Sequence, residues 1–356
     1  SPDRMRVVMV SWDSPVRSDV TSFLSILSPF SNSDIVSRKI PGHIAQAYWS
    51  PDGQFFIYGS DVSGNWDIYT LDANEVLQNP EAEPIQRTNS PREDTSPAWQ
   101  PVITEETLSE RPPQPYEGLV AFTSAVENGN LDIYTMHTDG GDLVNITGHP
   151  ANDTNPVWSP DGKRLAFLSD RSGSPQIYSM NPDGTELIQL TNISDTHYWV
   201  YTNWSPDGKY LVAQRIPIES KSGGRHINLY LINADGSGAI QLTENESGAD
   251  HSPKWSPGGE QIAFIRSESK SNRILSQIYT IRTDGTGLLN LSNPERDDAA
   301  FTWSADGAWI TYFSSPNKCP FPGDCPASEI QSVRADGTER ATLLVLPNSL
   351  TLAVAR

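Results

Sequence analysis

Four aspartates in one register could hold a divalent cation. Asp94, Asp153, Asp250 and Asp298 each stand five residues before a repeated tryptophan. Carboxylate oxygens suit calcium or magnesium, and added imidazoles shift the preference towards manganese, zinc or iron. Four of the six histidines lie in the same linking segments, although in differing registers: His43, His149, His197 and His251. The pattern predicts a calcium or manganese site at the aspartates, with the histidines as candidate residues at a ligand-binding mouth.

A structural role for these aspartates is the alternative interpretation. An aspartate just before a strand, as in Asp94-Thr-Ser-Pro-Ala-Trp99, commonly accepts hydrogen bonds from backbone N–H groups two or three residues further on. A repeat protein reuses such a device in each copy. Both interpretations stay open at the level of sequence, and no residue is assigned a catalytic role.

Six tryptophans mark the repeats that must position these residues. They are Trp49, Trp99, Trp158, Trp204, Trp255 and Trp303. Their spacing of roughly 50 residues is typical of a solenoid, a propeller or an array. We expect the tryptophans to anchor the packing between repeats rather than to stack on a ligand, because an indole buries a large area.

The repeat at Trp158 predicts four short strands. The first ends at the tryptophan, and the others are Arg164–Ser169, Gln176–Met180 and Glu186–Thr191. Pro-Asp-Gly and Asn-Pro-Asp-Gly sequences between them are typical of tight turns. Four antiparallel strands per repeat make a propeller blade, so the predicted fold class is all-β.

Both ends of the chain bear on the number of blades. Residues 4–40 contain three predicted strands, and residues 349–355 contain one. Together they would complete a seventh blade and leave no exposed sheet edge, with six blades as the alternative. We expect one propeller domain over residues 1–356. Long rim loops are predicted at 104–117, 216–226 and 267–276.

Composition restricts the partners. The net charge of −19, from 25 Lys and Arg against 44 Asp and Glu, would repel nucleic acid and favours cationic partners or solubility. No apolar run is long enough for a membrane span. Cys319 and Cys325 enclose Pro-Phe-Pro-Gly-Asp, a spacing that allows a local disulfide and indicates an oxidising compartment; two unpaired thiols are the alternative.

The best-preserved repeat, Trp158-Ser-Pro-Asp-Gly-Lys-Arg-Leu-Ala-Phe-Leu-Ser-Asp170, is followed by Ile177-Tyr178 and Asp183-Gly184-Thr185. This sequence motif resembles the TolB-like propeller repeat, also called PD40, and the resemblance covers essentially the whole chain. The family includes a periplasmic protein that binds a lipoprotein, propeller parts of peptidases, and lyases that hold a metal. The resemblance implies a β-propeller fold, but it does not single out one of these functions.

Two hypotheses for function follow. The first is a non-enzymatic periplasmic or extracellular propeller that binds another protein, since the sequence contains no Gly-x-Ser-x-Gly nucleophile motif. The alternative is a metal-dependent lyase or hydrolase acting on an anionic carbohydrate, or a propeller that binds a cation or small ligand.

Overall fold

The structure is a computed structural model, and it describes most of the chain. The described residues are 7–12, 21–27, 36–79, 81–101, 118–125, 129–193, 197–217, 226–246, 248–270, 273–294, 296–316 and 328–345. They divide between two compact units, with the division near residues 174–189. The predicted segment 349–355 and the pair Cys319 and Cys325 lie outside the described residues, so the closing strand and the disulfide stay predictions.

The first unit contains the N-terminal strands and the first blades. Its N-terminal sheet is three-stranded: β1 Val7–Trp12, β2 Thr21–Leu27 and β3 Val36–Pro41. The next blade is β4 Ile44–Trp49, β5 Phe55–Ser60, β6 Asp67–Asp72 and β7 Ile85–Gln86, with helix α1 Ala73–Gln78 before β7. Two blades follow: β8 Asp94–Trp99, β9 Leu119–Ala125, β10 Leu131–His137 and β11 Val144–Asn145, then β12 Asp153–Trp158, β13 Leu165–Ser169, β14 Gln176–Met180 and β15 Ile188–Gln189. The division between the units falls within this last blade.

The second unit contains three further blades. The first is β16 His197–Trp204, β17 Tyr210–Pro217, β18 Asn228–Asn233 and β19 Ala239–Gln241. The second is β20 Gly248–Trp255, β21 Gln261–Lys270, β22 Arg273–Arg282 and β23 Leu289–Asn290. The third is β24 Arg296–Trp303, β25 Trp309–Pro316, β26 Glu329–Arg334 and β27 Arg340–Val345.

The all-β propeller of four-stranded antiparallel blades is confirmed. Six complete blades are present among the described residues, which is the alternative count and not the leading prediction of seven. The three N-terminal strands form a separate sheet, as the seven-blade arrangement requires. The fourth strand that would complete this blade is predicted in 349–355, outside the described residues. The prediction of a single domain over 1–356 likewise stays a prediction.

Turn chemistry explains the sharp reversal between the first two strands of each blade. Ser159 donates its hydroxyl to Asp161 at 2.6 Å and accepts the N–H of Arg164 at 2.9 Å. Partial burial raises the pKa of Asp161, but the hydrogen bonds from Ser159 and from the N–H of Lys163 outweigh it and the net direction is downward. Gly162 has a φ of +63°, and a Cβ there would lie 2.8 Å from the carbonyl oxygen of Pro101. Only glycine fits both the backbone conformation and the close approach.

Each first strand contains a bulge in the middle of its register. The pairing of β12 with β13 shifts between Thr154 and Val157, and Asn155 has a φ of +54°. Ser96, in the same position of β8, has a φ of +53° and donates its hydroxyl to the side chain of Asn155 at 3.1 Å. The bulge lets the residues before and after it face different neighbours.

The hydrophobic core of each unit lies between successive blades. Trp158, Phe167 and Tyr178 pack against Ala121 and Ile133 of the preceding blade. A corresponding cluster in the second unit joins β17 and β18 to the buried side chains of β21. Stacking of successive repeats buries the apolar faces that one blade alone would expose.

Two predicted details are corrected. The segment 267–276 was expected to be a rim loop, but Ser267 pairs with Ser276 and Lys270 pairs with Arg273, so β21 and β22 form one long hairpin. Helix α1 was not predicted. Asp72 caps it by accepting the N–H groups of Asn74 and Glu75. No helix in the described part of the chain is long and apolar enough to cross a membrane.

Candidate functional site

The repeated tryptophans form a series of contacts between neighbouring blades. The indole N–H of Trp158 donates to the carbonyl of Ala98 at 3.2 Å, and Ala98 directly precedes Trp99. Trp303 donates in the same way to Lys254, just before Trp255, at 3.1 Å. The indole therefore both fills the interface and satisfies a backbone acceptor, which supports the predicted packing role.

Two of the four predicted aspartates are fully buried and paired with arginines. Arg266 donates from Nε and Nη2 to the two carboxylate oxygens of Asp250, both at 2.7 Å. Arg171 donates from Nη2 to both oxygens of Asp153, at 3.0 and 2.9 Å. Burial lowers the pKa of Arg266, but the hydrogen bonds and charge of Asp250 outweigh it and the net direction is upward. Burial raises the pKa of Asp153 although Ser169 and Arg171 oppose it.

The other two aspartates are buried without a paired arginine. Asp298 accepts the hydroxyl of Ser314 at 2.5 Å, and its second oxygen has no hydrogen-bond partner. Burial raises the pKa of Asp298 to about 6, against the effect of hydrogen bonds from Ser314 and Ser292. Burial also raises the pKa of Asp94, which Ser124 and Thr88 oppose.

Each aspartate contacts the preceding blade as well as its own. Asn245, which follows β19, donates to Asp250 at 3.0 Å, and Thr88, which follows β7, interacts with Asp94. Carboxylate oxygens thus bridge the end of one blade to the start of the next. For Asp153 and Asp250, whose carboxylate oxygens all accept hydrogen bonds, these contacts favour one packing arrangement.

The predicted ligands are not assembled into a cation site in the described part of the chain, where no group of three or more His, Cys, Asp or Glu residues lies close enough to hold a metal. The cation hypothesis therefore stays a prediction. The paired arginines and the contacts between blades favour the structural alternative, because a guanidinium already neutralises each of two carboxylates.

The four predicted histidines have separate environments. His43 contacts Asp61 through Nδ1 at 2.7 Å and is half exposed. His149 accepts the N–H of Ala151 on Nδ1 at 3.0 Å. His251 contacts Ser267 through Nε2 at 2.8 Å. Burial, then the charge of Arg215, lowers the pKa of His197. None of these contacts joins two of the histidines.

A cavity of about 500 Å³ lies between the blades of β16–β19 and β20–β23. Thr243, Glu244, Arg266 and Ile281 are among its lining residues. The guanidinium of Arg266 is already paired with Asp250, so the positive charge at this cavity is neutralised by a buried carboxylate.

Exposed aliphatic side chains recur on the fourth strand of every four-stranded blade. These fourth-strand aliphatic residues are Ile85, Val144 and Ile188 in the first unit and Ile240, Leu289 and Val345 in the second. Their exposed fractions range from 36% for Leu289 to 64% for Ile240. Sequence reasoning missed this feature, although an aliphatic residue before the polar Gln or Asn of the fourth strand recurs visibly at Ile85-Gln86 and Ile240-Gln241.

Sequence reasoning also missed the arginine partners of the aspartates. Arg171 follows the second strand of its blade, whereas Arg266 lies within β21. The two arginines are therefore out of register in the repeat, and only the folded chain brings each to its carboxylate. The available signal in these two blades was an arginine shortly after the apolar part of the second strand, Arg171 after 165–168 and Arg266 after 262–265.

Comparison with known proteins finds one matching family model and several relatives. The family model described as the TolB beta propeller domain, PD40, matches residues 114–218. The Tol-Pal system protein TolB of Francisella tularensis subsp. mediasiatica is 28% identical over 264 residues, which cover 74% of this chain and 54% of that protein. The chain thus spans about half the length of the curated relatives it matches over this region.

Solved structures share the fold. A putative TolB from Agrobacterium tumefaciens superimposes with a TM-score of 0.52 at 22% identity, covering 73% of this chain and 83% of that one. The propeller domain of the Trilobed protease from Pyrococcus furiosus gives a TM-score of 0.62 at 14% identity, covering 96% and 94%. At such identities the likeness concerns the fold alone.

Proposed function

We propose that this chain, a member of the TolB-like PD40 β-propeller family, is a non-enzymatic protein-binding subunit of a bacterial envelope complex. The observation that carries the proposal is the recurrence of exposed aliphatic side chains on the fourth strands. Soluble proteins expose single apolar residues routinely, but these side chains recur on the fourth strand of every described blade, and Ile85, Val144, Ile240 and Leu289 share one register. We take this recurrence as the mark of an interaction surface.

The geometry of these strands favours side-chain contacts over strand addition. Five of the six fourth strands contain only two or three residues, from Ile85–Gln86 to Leu289–Asn290. Short edge strands resist pairing with another chain. A partner would therefore rest on the aliphatic side chains rather than extend the sheet.

The charge of the chain indicates the chemistry of that partner. A net charge of −19 attracts basic surfaces and accelerates their association at low ionic strength. We infer a protein partner that presents an apolar patch bordered by Lys and Arg. The name of the Francisella relative, a Tol-Pal system protein, supports an envelope complex, and the periplasm is the proposed compartment.

The carbohydrate lyase or hydrolase alternative has less support. It requires carboxylates or imidazoles that converge on one substrate, whereas each aspartate described here is engaged separately by partners of its own blade and of the preceding one. The predicted cation would have to displace two arginines before it could act at Asp153 or Asp250.

Binding measurements with matched variants test the proposal. Ile240→Lys and Leu289→Lys reverse the character of two exposed side chains in the second unit, and Val62→Lys changes an exposed aliphatic residue outside the fourth strands. Proteins captured from an envelope extract are identified, purified again and titrated against each variant in low and high salt. We expect the two fourth-strand variants to bind at least about tenfold more weakly and Val62→Lys to bind normally. Equal binding by all three variants would contradict the proposal.

A further inference from the structure

One blade departs from the aspartate–arginine pairing of its neighbours. In the β20–β21 pair, Asp250 stands opposite Arg266. In the β16–β17 pair, the residue opposite Arg215 is Trp199. Trp199 also stands five residues before Trp204, which is the register of the aspartates. This blade therefore contains the arginine but has a tryptophan where its neighbours have the carboxylate.

Tyr230 contacts the guanidinium of Arg215 through both its hydroxyl and its ring. The Nη1 of Arg215 donates to the hydroxyl of Tyr230 at 3.2 Å, and its Cζ lies 5.3 Å from the centre of the Tyr230 ring. Tyr230 is fixed in turn, since it donates to Gln241 at 2.9 Å. The Nε of Arg215 is buried and has no hydrogen-bond partner. No carboxylate in the described residues forms an ion pair with this arginine.

Two further nitrogen atoms near Arg215 lack partners. The indole Nε1 of Trp199 is one, on a side chain only 1% exposed, and Nδ1 of His226 is the other. Trp199 meets the Tyr230 ring edge-on at 5.3 Å. Arg215 pairs with Asn228 in β18, and His226 lies two residues before Asn228. Trp199 and Arg215 stand directly opposite one another on adjacent strands, so their side chains lie on the same face of the sheet.

We propose that Arg215, with the indole N–H of Trp199, binds a carboxylate group of a ligand in the position that an aspartate fills in the neighbouring blade. A buried donor without a partner is costly, and a guanidinium is the side chain best shaped to hold a carboxylate through two parallel hydrogen bonds. The partial exposure of Arg215, His197 and His226 gives a ligand access. This proposal is independent of the protein-binding function.

The charges around the site favour a ligand with a single negative charge. Burial and the Arg215 charge lower the pKa of His197, so that imidazole is neutral at pH 7 and adds no second positive charge. The remainder of the chain is strongly acidic, which discourages polyanions. A monocarboxylate fits this balance, from either a small molecule or the C-terminus of a peptide.

Sodium formate is the probe that tests the site, with sodium chloride at equal ionic strength as the reference. We expect formate to raise the melting temperature of the full chain in a saturable manner and to shift the indole N–H resonance of Trp199, assigned with Trp199→Phe. Arg215→Met should weaken formate binding roughly ten- to a hundredfold. Arg282→Met, which removes an exposed arginine of the same unit, should leave it unchanged.

Two designed changes keep the test sharp if Arg215→Met folds poorly. Trp199→Asp supplies the missing carboxylate, and we expect it to abolish the formate response. Asp250→Ala vacates Arg266, and we expect it to gain a second formate site. The tripeptide Ala-Ala-Ala with a free C-terminal carboxylate should bind, whereas the same tripeptide with a C-terminal amide should not. The affinities of the tripeptide and of formate are then compared to identify a peptide C-terminus or a small molecule as the source of the carboxylate. Wild-type protein that responds equally to formate and chloride, or Trp199→Asp that still binds formate, would overturn the proposal.

Discussion

Arg266 donates hydrogen bonds to both carboxylate oxygens of Asp250, at 2.7 Å each, and neither side chain is more than slightly exposed. The two residues stand opposite one another on adjacent strands. Asn245 adds a hydrogen bond to the same carboxylate from the end of the preceding blade. One buried ion pair thus fixes both the start of a blade and its contact with its neighbour.

Asp250→Asn should lower the free energy of unfolding by about 3 kcal/mol, because it leaves the buried charge of Arg266 without a counter-charge. Urea denaturation at pH 7 measures the change. Asp235→Asn is the matched control, since Asp235 lies in an exposed turn where it accepts the N–H of Ser237. A loss of stability no larger for Asp250→Asn than for Asp235→Asn would contradict the structural role of the pair.

Asp298→Asn, unlike Asp250→Asn, should not lower the free energy of unfolding at pH 7. Burial raises the pKa of Asp298 from 3.8 to about 6, so the folded protein binds an additional proton and its stability falls as the pH rises from about 4 to 6. A shift of this size corresponds to about 3 kcal/mol. The neutral variant should lose this fall and be at least as stable as the wild type at pH 7. Urea midpoints at pH 4, 5, 6 and 7 measure it, and a constant difference between the two proteins would refute the assignment.

Gly162→Ala should destabilise the first unit more than Gly173→Ala does. Both glycines have a positive φ, but a Cβ at position 162 would lie 2.8 Å from a carbonyl oxygen, whereas at position 173 it would meet nothing within 4 Å. We expect a loss of about 1 kcal/mol at 173 for the backbone conformation alone, and about 2 kcal/mol or more at 162. Equal melting temperatures for the two variants would show that the close approach does not exist in solution.

Calcium and manganese titration distinguishes the two interpretations of the aspartates. Because Arg171 and Arg266 already neutralise Asp153 and Asp250, we expect no stoichiometric ion binding at these residues and no effect of a chelator on the melting temperature. Calorimetry and metal analysis of the purified protein make the measurement. Binding of one ion per chain that Asp153→Asn and Asp250→Asn both abolish would instead establish the cation site.

The repeat made the blades predictable because each blade begins with the same local chemistry. Ser159, Asp161 and Gly162 form their turn through contacts within a few residues, so the sequence alone contains the necessary information. Asp72 before α1 was a comparable local signal that went unused, since it caps the helix within three residues. The extension of β21 and β22 was harder to predict, because polar residues such as Ser267 and Ser276 pair there through backbone hydrogen bonds.

The environment of the aspartates was less predictable because it depends on distant residues. The register correctly identified Asp94, Asp153, Asp250 and Asp298 as equivalent, but their partners differ from blade to blade: arginines for two of them and serine hydroxyls for Asp298. Trp199 stands in the same register, but nothing in the sequence alone singled it out. Its significance emerged only when the structure placed Arg215 opposite it.

Site-specific photocrosslinking in cells shows whether the fourth strands contact a partner protein. A photoreactive amino acid replaces Ile240 in one protein and Val62 in another, since both side chains are exposed but only Ile240 lies on a fourth strand. We predict that position 240 crosslinks to one discrete envelope protein with a basic surface and that position 62 does not. Crosslinking from position 62 but not from 240, or no protein adduct from 240, would contradict the account.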